Sequence, residues 1–150
     1  MSAIAQSAAT VRAYRQTHYR VLAPQCFTLH IGRRSLPLQA LHATYDVGCS
    51  AFISAFNPYS QSWSLARNIA RHQALLASLA RHGQTYVQGY GRHPAGTWPA
   101  ERSVLVLGMT LAQAQALGAA LQQNAIVWSG ADALPQLHCC QPSRGQEFAQ

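Results

Sequence analysis

Residues 89–102, GYGRHPAGTWPAER, gather Arg92, His93, Trp98 and Glu101 on one Gly/Pro-rich loop. A titratable base, a carboxylate, a guanidinium and an indole in so short a span could support proton transfer. His93 would act as general base, Glu101 as its partner or as an acid, and Arg92 would meet a phosphate charge. The structural alternative is an ion pair of Glu101 with Arg92 or Arg102, with Trp98 covering the edge of the core. The loop holds G-x-G but neither a third glycine nor an opening helix, which excludes a dinucleotide fingerprint.

A second concentration of polar groups closes the stretch FISAFNPYSQSW, residues 52–63. Pro58 removes an amide donor and should push Asn57 toward extended backbone, so the chain leaves a strand here. Asn57 and Ser60 can bond the turn itself, or face a ligand from a strand end that precedes a helix N-terminus, where free N–H groups attract anions. At QQNAIVW, Gln123 offers an amide donor and acceptor to the same face as Asn57 or Asn68, while Asn124 can end a helix in the left-handed conformation. Arg67 and Arg71 lie one helical turn apart, as an anion site or a solvated face.

Metal chemistry finds little support. The seven His residues form no H-x-x-x-H or H-E-x-x-H, and Asp46, Glu101, Asp132 and Glu147 are the only carboxylate side chains. Cys26, Cys49, Cys139 and Cys140 contain no C-x-x-C, and adjacent thiols chelate poorly together, so incidental cysteines in a reducing compartment, with no metal and no cofactor, are expected. No G-x-S-x-G elbow supports a Ser-His-Asp arrangement.

The elements that must position these groups follow from periodicity. In SLARNIARHQALLASLARHG, Ser64 can cap a helix that Gly83 ends, with Leu65, Ile69, Leu76 and Leu79 inward and Leu75 beside them. In TLAQAQALGAALQQ, Thr110 and Gln113 fit a capping box above a stripe of Leu111, Ala114, Leu117, Gly118 and Leu121. LPLQALHATY reads as a helix with Leu36, Leu41 and Tyr45 inward, and Arg71-His72 and Arg81-His82 read as helix-surface pairs. QCFTLHIG, SAFISAFNP, QTYVQGYG, SVLVLGM and NAIVWSG read as strands. The order α-β-α-β-α-β-β-α-β predicts an α+β fold, an α/β sandwich with a mixed sheet of about five strands and helices packed on it. One domain is expected over residues 14–138, with a frayed segment at 1–13 and a loose tail at 139–150.

Composition bounds the function. The hydrophobic fraction is 49% and the charged fraction 10%, against roughly 25% in an average soluble protein, so pervasive disorder is excluded. The formal charge of +7 comes from eleven basic residues, all Arg, spread without a run. Such a balance favours polyanionic partners, although the absence of Lys also fits a GC-rich coding bias. No segment approaches the length of an apolar membrane span, and the Ser/Ala/Arg-rich start resembles a transit peptide only in composition, so a cytoplasmic protein without a membrane partner is expected.

The segments FISAFNPYS, the later Asn68, WPAERSVLVLG and QQNAIVW, in that order, resemble the bacterial domain of unknown function 3293 family over residues 14–137. The family pattern more often has Trp where this chain has Phe56. The resemblance implies a small bacterial cytoplasmic domain and carries no activity with it. Its pattern positions here are Asn57, Pro58, Ser60, Asn68, Gly91, Trp98, Glu101, Gln123 and Asn124.

These readings lead to an expected binding module: a polar pocket of Asn57, Ser60, Asn68, Glu101 and Gln123, beside Trp98 and ringed by Arg67, Arg71 and Arg92. Its ligand would be anionic, a nucleotide or a nucleic-acid segment. The rival is a metal-independent, nuclease-like enzyme that cleaves phosphodiesters with His93 and Glu101. A protein–protein adaptor would instead expose Tyr59, Trp63 and Trp98 as one patch.

Overall fold

The computed structural model describes residues 8–96 and 98–140. In chain order these form α1 (Ala8–Gln16), β1 (His18–Val21), β2 (Phe27–Leu29), α2 (Leu36–Thr44), β3 (Ser50–Ser54), a short turn at Pro58–Ser60, α3 (Leu65–Arg81), β4 (Thr85–Arg92), β5 (Glu101–Leu107), α4 (Leu111–Ala120), β6 (Ala125–Ser129) and β7 (Pro135–Cys139).

The fold is α+β, as expected, but the sheet has seven strands in the order β2-β1-β4-β5-β3-β6-β7. Every neighbouring pair is antiparallel, which corrects the mixed sheet of about five. The reason lies in the crossovers. Helix α3 joins β3 to β4 and α4 joins β5 to β6, which on their own predict parallel pairs. In each case a third strand is inserted between the two, β5 in the first and β3 in the second. The segment β3-α3-β4-β5-α4-β6 is therefore a β-α-β-β-α-β split of the ferredoxin-like kind. The β1–β2 hairpin extends it beyond β4, and β7 extends it beyond β6.

Both faces of the central strands are covered, which is why β3 and β5 read as continuous apolar runs. On one face α3 and α4 pack on Ala51, Ile53, Val104, Val106 and Ile126. On the other, Leu38 of α2 packs with Phe52, Leu105, Leu107 and Val127. Full burial of a side chain such as Ile53 or Leu105 stabilises by about 1.5–3 kcal/mol.

The helix ends form as the sequence predicts. Ser64 Oγ accepts from the Arg67 amide, and Thr110 and Gln113 complete a reciprocal capping box. The buried faces are phased differently. Helix α3 buries Asn68, His72, Leu75 and Leu79, while Leu65 is exposed. Helix α2 buries Leu38 and His42, leaving Leu36 and Tyr45 exposed. The buried polar side chains have partners inside: Asn68 meets Asn57, His72 Nε2 lies 3.4 Å from Gln88 Oε1, and His42 Nε2 lies 2.8 Å from Ser50 Oγ. A stripe counted on apolar residues alone is rotated by these three. His72 is thus not a surface residue.

At the ends of the chain, Ala8–Gln16 is helical within the segment expected to fray, and β7 reaches Cys139 with Cys140 buried behind it. The rest of the expected frayed segment and tail, residues 1–7 and 141–150, lies outside the described residues. No described helix is long and apolar enough to cross a membrane.

Candidate functional site

The chain leaves β3 through a turn with unusual backbone. Asn57 has φ 47° and ψ 68°, and Tyr59 and Ser60 also have positive φ, at 53° and 60°. The extended conformation that Pro58 favours for Asn57 is not adopted. Asn tolerates the left-handed region because its short amide can bond locally, and here that amide makes three hydrogen bonds. Asn57 Oδ1 accepts from the Trp63 amide at 2.9 Å and from Asn68 Nδ2 at 2.8 Å, while its own backbone N–H donates to Asn68 Oδ1 at 2.8 Å. Left-handed non-glycine residues cost about 1–3 kcal/mol each and persist only where surrounding bonds over-determine them.

Those bonds tie the turn to three other elements. Asn57 Nδ2 donates to Glu101 Oε2 at 2.8 Å, linking the turn to the start of β5. Gln123 Nε2 donates to the Phe56 carbonyl at 3.0 Å, and the Tyr59 amide donates to the Gln122 carbonyl at 2.7 Å, linking it to the end of α4. Asn124 Nδ2 donates to Ser60 Oγ at 2.9 Å, and the Tyr14 side chain of α1 lies near both residues. Burial raises the Tyr14 pKa above its ordinary value, and the polar groups of Ser60 and Asn124 partly offset it. Gln122, with φ 59°, takes the left-handed position expected of Asn124.

Glu101 sits between the turn and the loop. Its Oε2 also accepts from Trp98 Nε1 at 2.8 Å, so two neutral N–H donors hold the carboxylate where an ion pair with Arg92 or Arg102 was the alternative. Among the described residues, Oε1 has no partner.

Beside these groups lies a cleft of about 400 Å³ between α1 and the sheet. Tyr19, Phe52, Val127 and Leu137 line it with apolar surface, Ala13 and Tyr14 line it from α1 and Thr17 from just beyond that helix, and Glu101, Ser103, Arg92 and His93 supply polar groups. Tyr19 and Phe52 meet edge to face at 5.4 Å, and Tyr19 donates its hydroxyl to the Tyr14 carbonyl at 2.6 Å, joining the floor to α1. A small ligand can lay a flat apolar body here and offer a donor to Glu101.

The sequence-predicted residues divide. Asn57, Ser60, Arg92, His93, Trp98, Glu101 and Gln123 all line the cleft. Asn68 does not: it is 4% exposed and serves the Asn57 turn. Arg71 donates Nε to the Ala55 carbonyl at 2.7 Å and Nη2 to the Leu121 carbonyl, satisfying backbone at the ends of β3 and α4. Arg67 lies over the Trp63 ring at 3.9 Å, with Arg71 at 5.3 Å. Neither arginine rings the cleft, and Trp63 is covered by them. His93 and Glu101 are not bonded to one another. His93 Nδ1 accepts from the Ala95 amide and its Nε2 faces Gln16 Oε1 at 3.2 Å.

Sequence reasoning missed Tyr14, Thr17, Tyr19 and Phe52 as lining residues. Thr10, Tyr14 and Thr17, at helical spacing on an otherwise Ala/Arg-rich segment, were the available signal, and all three line the cleft.

A family model described as "Protein of unknown function (DUF3293)" matches residues 53–126. This stretch of the chain belongs to DUF3293. No curated protein and no solved structure matches the chain. The DUF3293 span, narrower than the resemblance over 14–137, begins inside β3 and ends inside β6, so it nearly coincides with the β-α-β-β-α-β core. Asn57, Ser60, Asn68, Trp98, Glu101 and Gln123 fall within the DUF3293 span, whereas Tyr14, Tyr19 and Leu137 belong to elements added around it.

Proposed function

We propose that the protein is a binding module for a small ligand with a planar body and an anionic group, of which a nucleotide is the leading class. The observation that carries this reading is the cleft of about 400 Å³ where Glu101 is oriented by Asn57 and Trp98 and retains an oxygen without a partner among the described residues. Pockets for small molecules are commonly a few hundred Å³, mostly apolar, with a few placed polar groups. A base or similar ring would lie on Tyr19 and Phe52, its N–H or the sugar hydroxyls would donate to Glu101 Oε1, and the phosphate would reach Arg92 at the rim.

The deciding experiment is calorimetric titration with nucleoside monophosphates, the matching nucleosides and inorganic phosphate. Monophosphates should bind, nucleosides should bind more weakly, and Glu101→Gln should reduce both while leaving thermal unfolding near the wild-type value. No heat from any of them at about 1 mM, the weak end of ligand affinities, would sink the reading. Cleavage of a phosphodiester is the less supported alternative, since His93 and Glu101 have separate partners.

A further inference from the structure

The sheet carries a second set of groups, of which only Arg92 also lines the cleft. Strand register places Thr28, Arg20, Tyr90 and Arg102 directly opposite one another across β2, β1, β4 and β5. Facing residues on neighbouring antiparallel strands project to the same side, so these four form one row. The next row holds His18 opposite Arg92, and the His18 ring meets that of His30 at 5.0 Å. Alternation along β5 sets Arg102 on the same side as Val104 and Val106, the face that α3 and α4 cover farther along the sheet. No residue of β1 or β2 belongs to that covered core. Arg92 and Arg102 are exposed, and Arg20 and Tyr90 half-buried.

The row is arranged as well as charged. Arg20 Nη1 donates to Thr28 Oγ1 at 3.0 Å, which holds its guanidinium toward β2, in the same row as Tyr90. An open groove of about 500 Å³ runs along the same end of the hairpin, lined by Tyr90, Arg92, Trp98, Pro99 and Arg102. The described carboxylates lie elsewhere: Glu101 alternates to the cleft side, Asp46 follows α2, and Asp132 lies between β6 and β7.

We propose that this open face binds single-stranded nucleic acid, with a base stacked on Tyr90 and phosphates on Arg20, Arg92 and Arg102. An aromatic platform flanked by guanidinium groups on an open sheet face suits unpaired bases, because each has a face to stack and a nearby phosphate. A duplex hides its base faces and cannot use Tyr90. The face and the cleft lie on opposite sides of the sheet and meet at Arg92, Trp98 and Pro99, and the proposal does not depend on the reading of Glu101.

The test is fluorescence anisotropy of a labelled twelve-nucleotide oligo-U, with a duplex of equal length and anionic vesicles of mixed phosphatidylserine and phosphatidylcholine as competitors. Three neutralised phosphates on a single strand give a log–log salt slope of about −2, so affinity should fall roughly 20-fold from 50 to 200 mM salt. Arg102→Gln and Arg20→Gln should each flatten that slope by about 0.7. Tyr90→Ala should weaken binding roughly 5- to 100-fold with the slope unchanged, and Tyr90→Phe should retain it. Glu101→Gln should leave oligonucleotide binding intact, which separates this face from the cleft. The proposal is overturned if the oligonucleotide does not bind, if Tyr90→Ala folds and binds like wild type, or if duplex or vesicles compete as well as the single strand.

Discussion

Asn57 and Glu101, 44 positions apart in the chain, are joined by a 2.8 Å hydrogen bond from the Asn57 side-chain amide to the Glu101 carboxylate. The same Asn57 side chain accepts from Trp63 and Asn68, so one residue closes the strand-to-helix turn and orients the only carboxylate that lines the cleft among the described residues.

Replacing Asn57 should therefore be costly. Asn57→Ala leaves the Trp63 amide, the Asn68 amide and Glu101 short of a partner and places Ala at φ 47°, for an expected loss of about 2–4 kcal/mol. Asn57→Gly removes the same bonds without the backbone strain and should be about 1 kcal/mol less destabilising. Urea unfolding of the two variants checks the difference. Equal stability would mean that the left-handed conformation carries no strain here.

Trp98 touches the carboxylate but not the core. It is 40% exposed, and its indole N–H reaches Glu101 Oε2 at 2.8 Å. Trp98→Phe should change unfolding free energy by less than about 0.5 kcal/mol, as surface substitutions usually do. Nucleotide affinity should fall about 5- to 10-fold, the worth of one ordinary hydrogen bond, because Glu101 loses one of the two donors that orient it. Titration of this variant beside Glu101→Gln gives the measurement, and unchanged affinity would remove Trp98 from the site.

The two arginines of α3 make opposite forecasts although the sequence presents them as a pair. Arg71 holds two backbone carbonyls, so Arg71→Met should cost about 2–3 kcal/mol in thermal or chemical unfolding. Arg67 contributes a cation–π contact over Trp63 at an exposed position, and Arg67→Met should cost about 0.5–1 kcal/mol. A cost at Arg67 as large as that at Arg71 would contradict this division of labour.

How far the sequence could be read is clear from particular residues. The caps at Ser64 and Thr110 were legible because they are local: side chain and amide lie three residues apart. Asn57, Glu101 and Gln123 could be named because each ends a recognisable element, but whether they share a face was open in the sequence, since the strand order that brings them together is not local. Strand β1, HYRV, was missed because its outward positions are His18 and Arg20. Strand β7, PQLHC, was missed because it begins with Pro at the sheet edge, where a missing donor is tolerated. The buried faces of α2 and α3 were misphased because His42, Asn68 and His72 find hydrogen-bond partners inside, although His72 Nδ1 has none, and only look like surface. The cleft itself was illegible, because only the added strands and α1 bring Tyr14 and Tyr19 over Phe52.

The same buried rings set the response to pH. Burial lowers the pKa values of His42, His72 and His138 below the ordinary 6.5; at His72 the Gln88 bond opposes the shift and the Arg102 charge adds to it. The unfolded chain therefore takes up protons at a higher pH than the fold does. Stability from these rings is complete above about pH 6.5 and is lost as pH falls through that value toward the lower folded-state pKa values. The melting temperature should drop by roughly 5 °C or more between about pH 7.5 and pH 5.5. His42→Asn with His72→Gln should lower stability at pH 7.5 but flatten the dependence, because neither replacement takes up a proton. A pH profile as steep in the double variant as in the wild type would assign the acid response to other groups.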